Sequence, residues 1–322
     1  MPSRRLKSNL ALRLLPRIGA LLLLCFACAP VAAARPSLLA VLALGETQTA
    51  EHAAEQLAQS FAKQADFAVV NRAQARAAAR GIGYKGSLNL SLEEARDLGA
   101  AVGCDFFITG EAQTLKRSKA EHVDYFESYA SLFLISARTG RLLLWEQPSA
   151  EAATPTQAEQ LMLAELDRRI NLYAELLRAK RAAERDEKLS ALARDTPVIA
   201  DVPAADGPDA AHLRAPRPYR RLQPKYPETA ARMEIAATVD VLAEIDASGE
   251  VAQVEIVRWA GYGLDESVLA TVRQLHFFPA QRDGAPVPMR VLLRYNFRKP
   301  PKEKQSSTSS RSALRHCVFA CG

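Results

Sequence analysis

The sequence predicts an α+β protein of two domains, and three observations carry that prediction. Residues 218–297 run strand, strand, helix, strand, with a turn cluster at the junctions. Residues 37–150 interleave short apolar runs with stretches of helical spacing. A segment punctuated by Pro197, Pro203, Pro208 and Pro216 separates the two. The 322 residues leave room for about two domains at ~150 residues each. The expected division is a signal segment at 1–34, an α/β module with a mixed sheet at 37–150 and a long helix at 156–192. A linker at 193–215, a β-β-α-β domain at 216–299 and a disordered tail at 300–322 complete it.

In chain order, Arg4, Arg5, Lys7, Arg13 and Arg17 form a basic start, Ile18 to Ala29 an apolar run, and Ala32 to Ala34 a small-residue cleavage site. The apolar run is shorter than the ~20 residues of a spanning helix and is broken by Pro30. A cleaved export signal is the leading reading, which places the chain in the periplasm or cell envelope. Two alternatives stay open, each giving membrane association: an uncleaved inner-membrane anchor, or lipidation at Cys28. The net charge of +6 resides in this segment and in the basic tail, so residues 35–297 carry −4. Nucleic acid is therefore not an expected partner.

Residues 37–44 suit a buried strand, and 50–64 a helix through Ala53, Leu57 and Phe61. Phe67 to Val70 is a second strand, and Asn71 caps an alanine-rich helix through Arg80. A loop from Gly81 to Asn89 precedes the capping box Ser91-Leu92-Glu93-Glu94, which opens a helix through Val102. Cys104 to Thr109 reads as an apolar strand ended by Gly110. Residues 123–137 alternate, with Phe126, Ala130, Leu132 and Leu134 against Tyr129, Phe133 and Ile135, and turn at Arg138-Thr139-Gly140 into Leu142 to Trp145. The helix 156–192, ~50 Å long at 1.5 Å per residue, has an apolar stripe in its first half only. Its polar second half is expected to project into solvent. In the last domain, Val239 to Ile245 and Ala252 to Ile256 form a hairpin about Asp246 to Gly249. Leu264, Val268, Val272 and Leu275 mark a helix that Asp265 caps or complements, and after Asp283-Gly284 a last strand runs from Met289 to Phe297.

This last domain resembles the TonB C-terminal domain family. Its landmarks stand in family order: Lys225-Tyr226-Pro227, Ala230-Ala231-Arg232, Gly249, Gly263-Leu264-Asp265, Phe278-Pro279-Ala280, Asp283-Gly284 and a final strand ending in Phe297. The resemblance implies a periplasmic domain that binds an outer-membrane receptor segment, of the TonB-dependent type, by strand addition in energy-coupled transport. An edge strand offers unpaired N–H and C=O groups that an extended peptide satisfies. The candidate edge is Met289, Arg290, Val291, Leu292, Leu293, Arg294, Tyr295, Asn296 and Phe297; alternatively its bases only guard the edge against aggregation. Full transducers of the family carry an uncleaved anchor and a long proline-rich spacer, whereas here the linker is short and a folded module stands in the spacer's place. That module more faintly resembles the TolB N-terminal domain and CsgG-like lipoproteins, through Val69 to Arg72, Ser91 to Ala95, Gly103-Cys104-Asp105, Ile108-Thr109-Gly110 and Ala137 to Gly140. The second resemblance implies a non-enzymatic envelope assembly or scaffold protein.

A second candidate contact is the basic, aromatic run Tyr219, Arg220, Arg221, Lys225 and Tyr226, with Arg217 beside it, which either faces a partner or an anionic surface or is simply a solvated linker end. Gly81 to Gly86 matches a dinucleotide fingerprint in letters but follows a helix, so a mobile surface loop is the expectation. The histidines lack metal-ligand spacing, Cys104 lacks an activating neighbour, and Cys317 with Cys321 would close only a local loop. No catalytic residue, metal or cofactor is expected.

Overall fold

The computed structural model describes residues 35–118, 124–193, 201 and 212–298. The expected signal segment 1–34, the tail 300–322 and most of the linker lie outside the described residues. Both domains are mixed α and β, as the sequence predicts.

The N-terminal module begins with β1 (Ser37–Val41), α1 (Gln48–Ala62), β2 (Phe67–Val69), α2 (Arg72–Gly81) and α3 (Leu92–Val102). Each helix starts where a short polar side chain meets its orphan amides: Thr47 accepts from Ala50 N, Asn71 from Ala73 N and Gln74 N, and Ser91 with Glu94 closes the capping box. β3 (Phe106–Arg117), β4 (Tyr125–Ser136), β5 (Leu142–Glu146) and β6 (Ser149–Ala152) follow, and α4 (Pro155–Ala193) closes the module. The sheet order is β2-β1-β3-β4-β5, with β6 also on β4; pairs among β1, β2 and β3 are parallel and the rest antiparallel.

Two expectations change here. β3 does not end at Gly110 but pairs with β4 through Arg117. A Cβ on Gly110 would run into the Ser131 carbonyl, so this glycine marks close approach of two strands and not a strand end. Nor does the second half of α4 project away. Arg138 grips Glu184 at 2.8 Å, Arg181 donates to Ser37 Oγ at 2.6 Å, and Arg141 reaches Glu187.

The C-terminal domain holds short β7 (Leu213–Arg214), β8 (Arg217–Pro218) and α5 (Glu228–Arg232) before β9 (Ala237–Ile245), β10 (Val251–Arg258) and α6 (Leu264–Val272). β11 (Phe277–Phe278), β12 (Ala280–Arg282) and β13 (Ala285–Val287) lead to β14 (Met289–Phe297). Its main sheet is antiparallel in the order β10-β9-β14. Period two in β9 turns Val239, Val241, Ala243 and Ile245 onto Leu264, Val268 and Val272 of α6, all buried.

The modules are not beads on a linker. Strand β4 is buried on both faces from Ser128 to Ser136. Ala130, Leu132 and Leu134 pack beneath α1 and α4, through Leu57, Leu166 and Tyr173 among others. On the other face Phe133 and Ile135 share one core with α2, α3 and the C-terminal residues Trp259, Tyr262 and Val241. The loop 259–263 is the plug. Trp259 and Tyr262 rings lie 5.6 and 5.8 Å from the Phe133 ring, and Tyr262 lies 4.9 Å from Trp145. Gly261 has φ +71°, and a Cβ there would stand 2.6 Å from the Phe133 ring, so only glycine fits.

Candidate functional site

β14 is built rung by rung on β9, from Met289 opposite Ile245 to Phe297 opposite Ala237, with no bulge. Its alternating polar residues find partners directly across the ladder. Arg290 Nε donates to Glu244 at 2.9 Å, Arg294 grips Asp240 through two hydrogen bonds of 2.7 and 2.9 Å, and Asn296 accepts from Thr238 Oγ1 at 2.8 Å. Asp240, 5 % exposed, also faces Arg258 at 3.5 Å. The hydrogen bonds to Asp240 raise the Arg294 guanidinium further above its already basic range, and burial raises the Tyr295 phenol.

Because β9 is the central strand, β14 is an edge. On its open side the described residues place one isolated bridge, Asp201 to Arg290 in parallel sense. From Val291 to Phe297 that side meets no described strand. Leu292 is 53 % exposed, while Val291, Leu293, Tyr295 and Phe297 are half-buried against the domain core.

The second sequence candidate divides in two. Tyr226 is held inside the domain: its hydroxyl donates to Ile235 O at 2.5 Å and its ring lies 5.9 Å from Phe297. Tyr219, Arg220, Arg221 and Lys225 are exposed, and Tyr219 packs edge-on against Phe278 at 4.3 Å. The two candidates meet where the Tyr226 ring faces Phe297.

Several contacts escape sequence reasoning, and most join the modules. Asn89, at the end of the loop from Gly81, donates to Thr238 O and Trp259 O at 2.8 and 2.6 Å and accepts from Thr238 N at 3.0 Å. Trp259 Nε1 donates to Gly140 O at 3.0 Å, and Arg141 holds Glu255 at 2.7 Å. Asp265 stands in the first turn of α6 as an acid but does not cap it, the N-cap being Gly263; its carboxylate accepts from Ala260 N and Gly261 N at 2.9 and 2.8 Å. Burial pushes its pKa up to about 7 although these two amides favour the charged form. The available signal was the doubly apolar β4, since a strand with two apolar faces needs two covers.

Cys104 lies in the turn before β3 and not within a strand, half-buried, with its thiol pushed up to about 12 mainly by burial. Among the described residues no group of three metal-ligating side chains converges, and no helix is long and apolar enough to cross a membrane.

Residues 222–298 match the family model described as Gram-negative bacterial TonB protein C-terminal. No curated protein matches the chain in sequence. Among solved structures, the Pseudomonas aeruginosa TonB CTD aligns at 20 % identity and TM-score 0.24, covering 30 % of this chain and 93 % of that one. The LpoB C-terminal domain from Salmonella enterica aligns at 15 % and 0.25, covering 42 % and 93 %. Lipoprotein GNA1162 from Neisseria meningitidis aligns at 13 % and 0.29, covering 44 % and 99 %. At such TM-scores these likenesses carry no argument, and the fainter resemblance over residues 37–180 gains no support. What the comparisons identify is a domain of the TonB C-terminal kind at residues 222–298.

Proposed function

We propose that this chain is an exported envelope protein whose C-terminal domain captures an extended segment of a partner protein by strand addition at β14. One observation carries the reading: a nine-residue strand laddered to β9 along its whole length, with its other side open to a guest from Val291 to Phe297 among the described residues. The family match over residues 222–298 supports it. The partner in this reading is a segment of a TonB-dependent type of outer-membrane receptor, and the chain performs no catalysis. It works in the periplasm, either released by cleavage before residue 35 or held at the inner membrane by residues 1–34.

A second reading is favoured by the shared core of the two modules. A transducer that spans the periplasm needs reach, and a terminal domain docked through Trp259 and Asn89 has little. In this reading the chain is a non-enzymatic assembly adaptor, and strand addition serves scaffolding instead of energy-coupled transport.

Adjacent residues of an antiparallel strand point their N–H groups to opposite sides, so of Val291 and Leu292 one donates to β9 and the other to the open edge. Val291→Pro and Leu292→Pro made separately therefore contain their own control. One variant should lose stability as its ladder bond breaks. The other should keep the native unfolding midpoint and lose capture of the receptor from envelope extract. Undiminished capture by that stable variant rules out strand addition at β14.

A further inference from the structure

The arm 213–221 is laid antiparallel along residues 276–282. Leu213 and Arg214 pair with Arg282 and Gln281, Arg217 and Pro218 pair with Phe278 and Phe277, and Tyr219 N donates to His276 O at 2.8 Å. Period two then sorts the side chains. Phe277 is fully buried, while Phe278 is 50 % exposed and Tyr219 58 %. Arg217 lies 5.2 Å from the centre of the Phe278 ring, a cation–π contact that holds the guanidinium beside the exposed aromatics.

Several arginines elsewhere in the chain are ion-paired. Arg138, Arg141, Arg169, Arg258, Arg290 and Arg294 are all held by carboxylates. Arg217, Arg220 and Arg221 have no carboxylate partner among the described residues. The sequence from 213 to 227 contains no acid, and the carboxylates at the two ends of the paired segment, Glu250 and Asp283, face His276 and His212. Arg217 thus sits against an exposed ring, and exposed Arg220 and Arg221 follow Tyr219 directly in the chain, on a body, residues 35–297, whose net charge is −4.

We propose that this face docks on an anionic lipid bilayer. Tyrosine and phenylalanine insert at the headgroup level, and guanidinium groups bind lipid phosphates bidentately. Each base near an anionic surface adds to the attraction. The arm is already fixed by its pairing, so docking orders little further chain. The proposal is independent of strand addition, since β14 takes no part in the face.

The test is flotation of the full chain with phosphatidylcholine vesicles and with vesicles in which one third of the lipid is phosphatidylglycerol. Wild-type protein should partition at least tenfold more strongly onto the anionic vesicles. The triple variant R217E/R220E/R221E should lose at least tenfold of that partitioning, and Y219S/F278S several-fold, with thermal midpoints unchanged because all five side chains are exposed. Every chain keeps residues 1–34, so the differences report on the face alone. Equal partitioning of wild type and triple variant overturns the proposal. So does wild-type retention on an immobilised polyglutamate peptide, lost in the triple variant, without a matching lipid preference, because that result assigns the face to an acidic protein.

Discussion

Asp265 is 6 % exposed, accepts from two backbone amides of the plug loop, and has its pKa pushed up to about 7 by burial. Between its unfolded value of 3.8 and about 7 the folded chain holds a proton that the unfolded chain has released. The stability it adds is therefore fully present below about pH 4 and is lost as pH rises through about 7, with a ceiling of about 4 kcal/mol. Denaturant midpoints should fall from pH 5 to pH 8 in the wild type and change less in Asp265→Asn; parallel profiles would show that Asp265 does not titrate in this range. The two interface tryptophans make a second contrast. Trp259 donates its indole N–H to Gly140 O, whereas Trp145 Nε1 is buried with no acceptor among the described residues. A buried unmet donor costs about 1–3 kcal/mol, so removing it relieves a penalty. Trp145→Phe is expected within about 1 kcal/mol of wild type by urea unfolding, while Trp259→Ala should cost about 3–5 kcal/mol. Neither role was legible in the sequence. Trp259 stands in a glycine-bearing loop, and local pattern does not state what a loop tryptophan packs against.

At the scale of elements, period and capping were enough for most of the chain. Thr47 aside, the caps at Asn71 and Ser91 were readable because a cap is a contact between residues two or three apart. β9, β10, α6 and β14 were readable from period alone, and the edge position of β14 came only with the family resemblance and the sheet order. Two elements misled for the same physical reason, a distant partner. Gly110 serves its neighbour β4, and the polar half of α4 is matched to Arg138, Arg141 and Ser37, far away in sequence. The pair Arg181→Ala/Glu184→Ala should therefore loosen α4 from about residue 178 onward without unfolding the module. Hydrogen exchange would read this as faster exchange over residues 178–188, on the scale of about 1–2 kcal/mol for partly buried charged hydrogen bonds. Unchanged protection would mean that this half of the helix stands by propensity alone.

For the whole molecule, a common core around Phe133, Trp259 and Tyr262 makes the two modules one cooperative unit. Thermal unfolding should give a single transition by calorimetry, and Gly261→Leu should lower that one midpoint instead of splitting off an early one. Two separated transitions in the wild type would show the modules to be independent. The sequence hid this because linker length suggests tethering, and only the double-sided burial of β4 argues for contact. The β9–β14 ladder has a further, mechanical consequence. A guest strand lying along β14 and pulled along its own axis would load all its rungs together in shear, the direction in which a ladder resists best. β9 would pass that load to β10, and the loop after β10 is wedged by Trp259 against the sheet of the other module. Tension applied at one end of this molecule therefore arrives at β4, not at a slack tether, and the chain would behave under load as a stiff coupling.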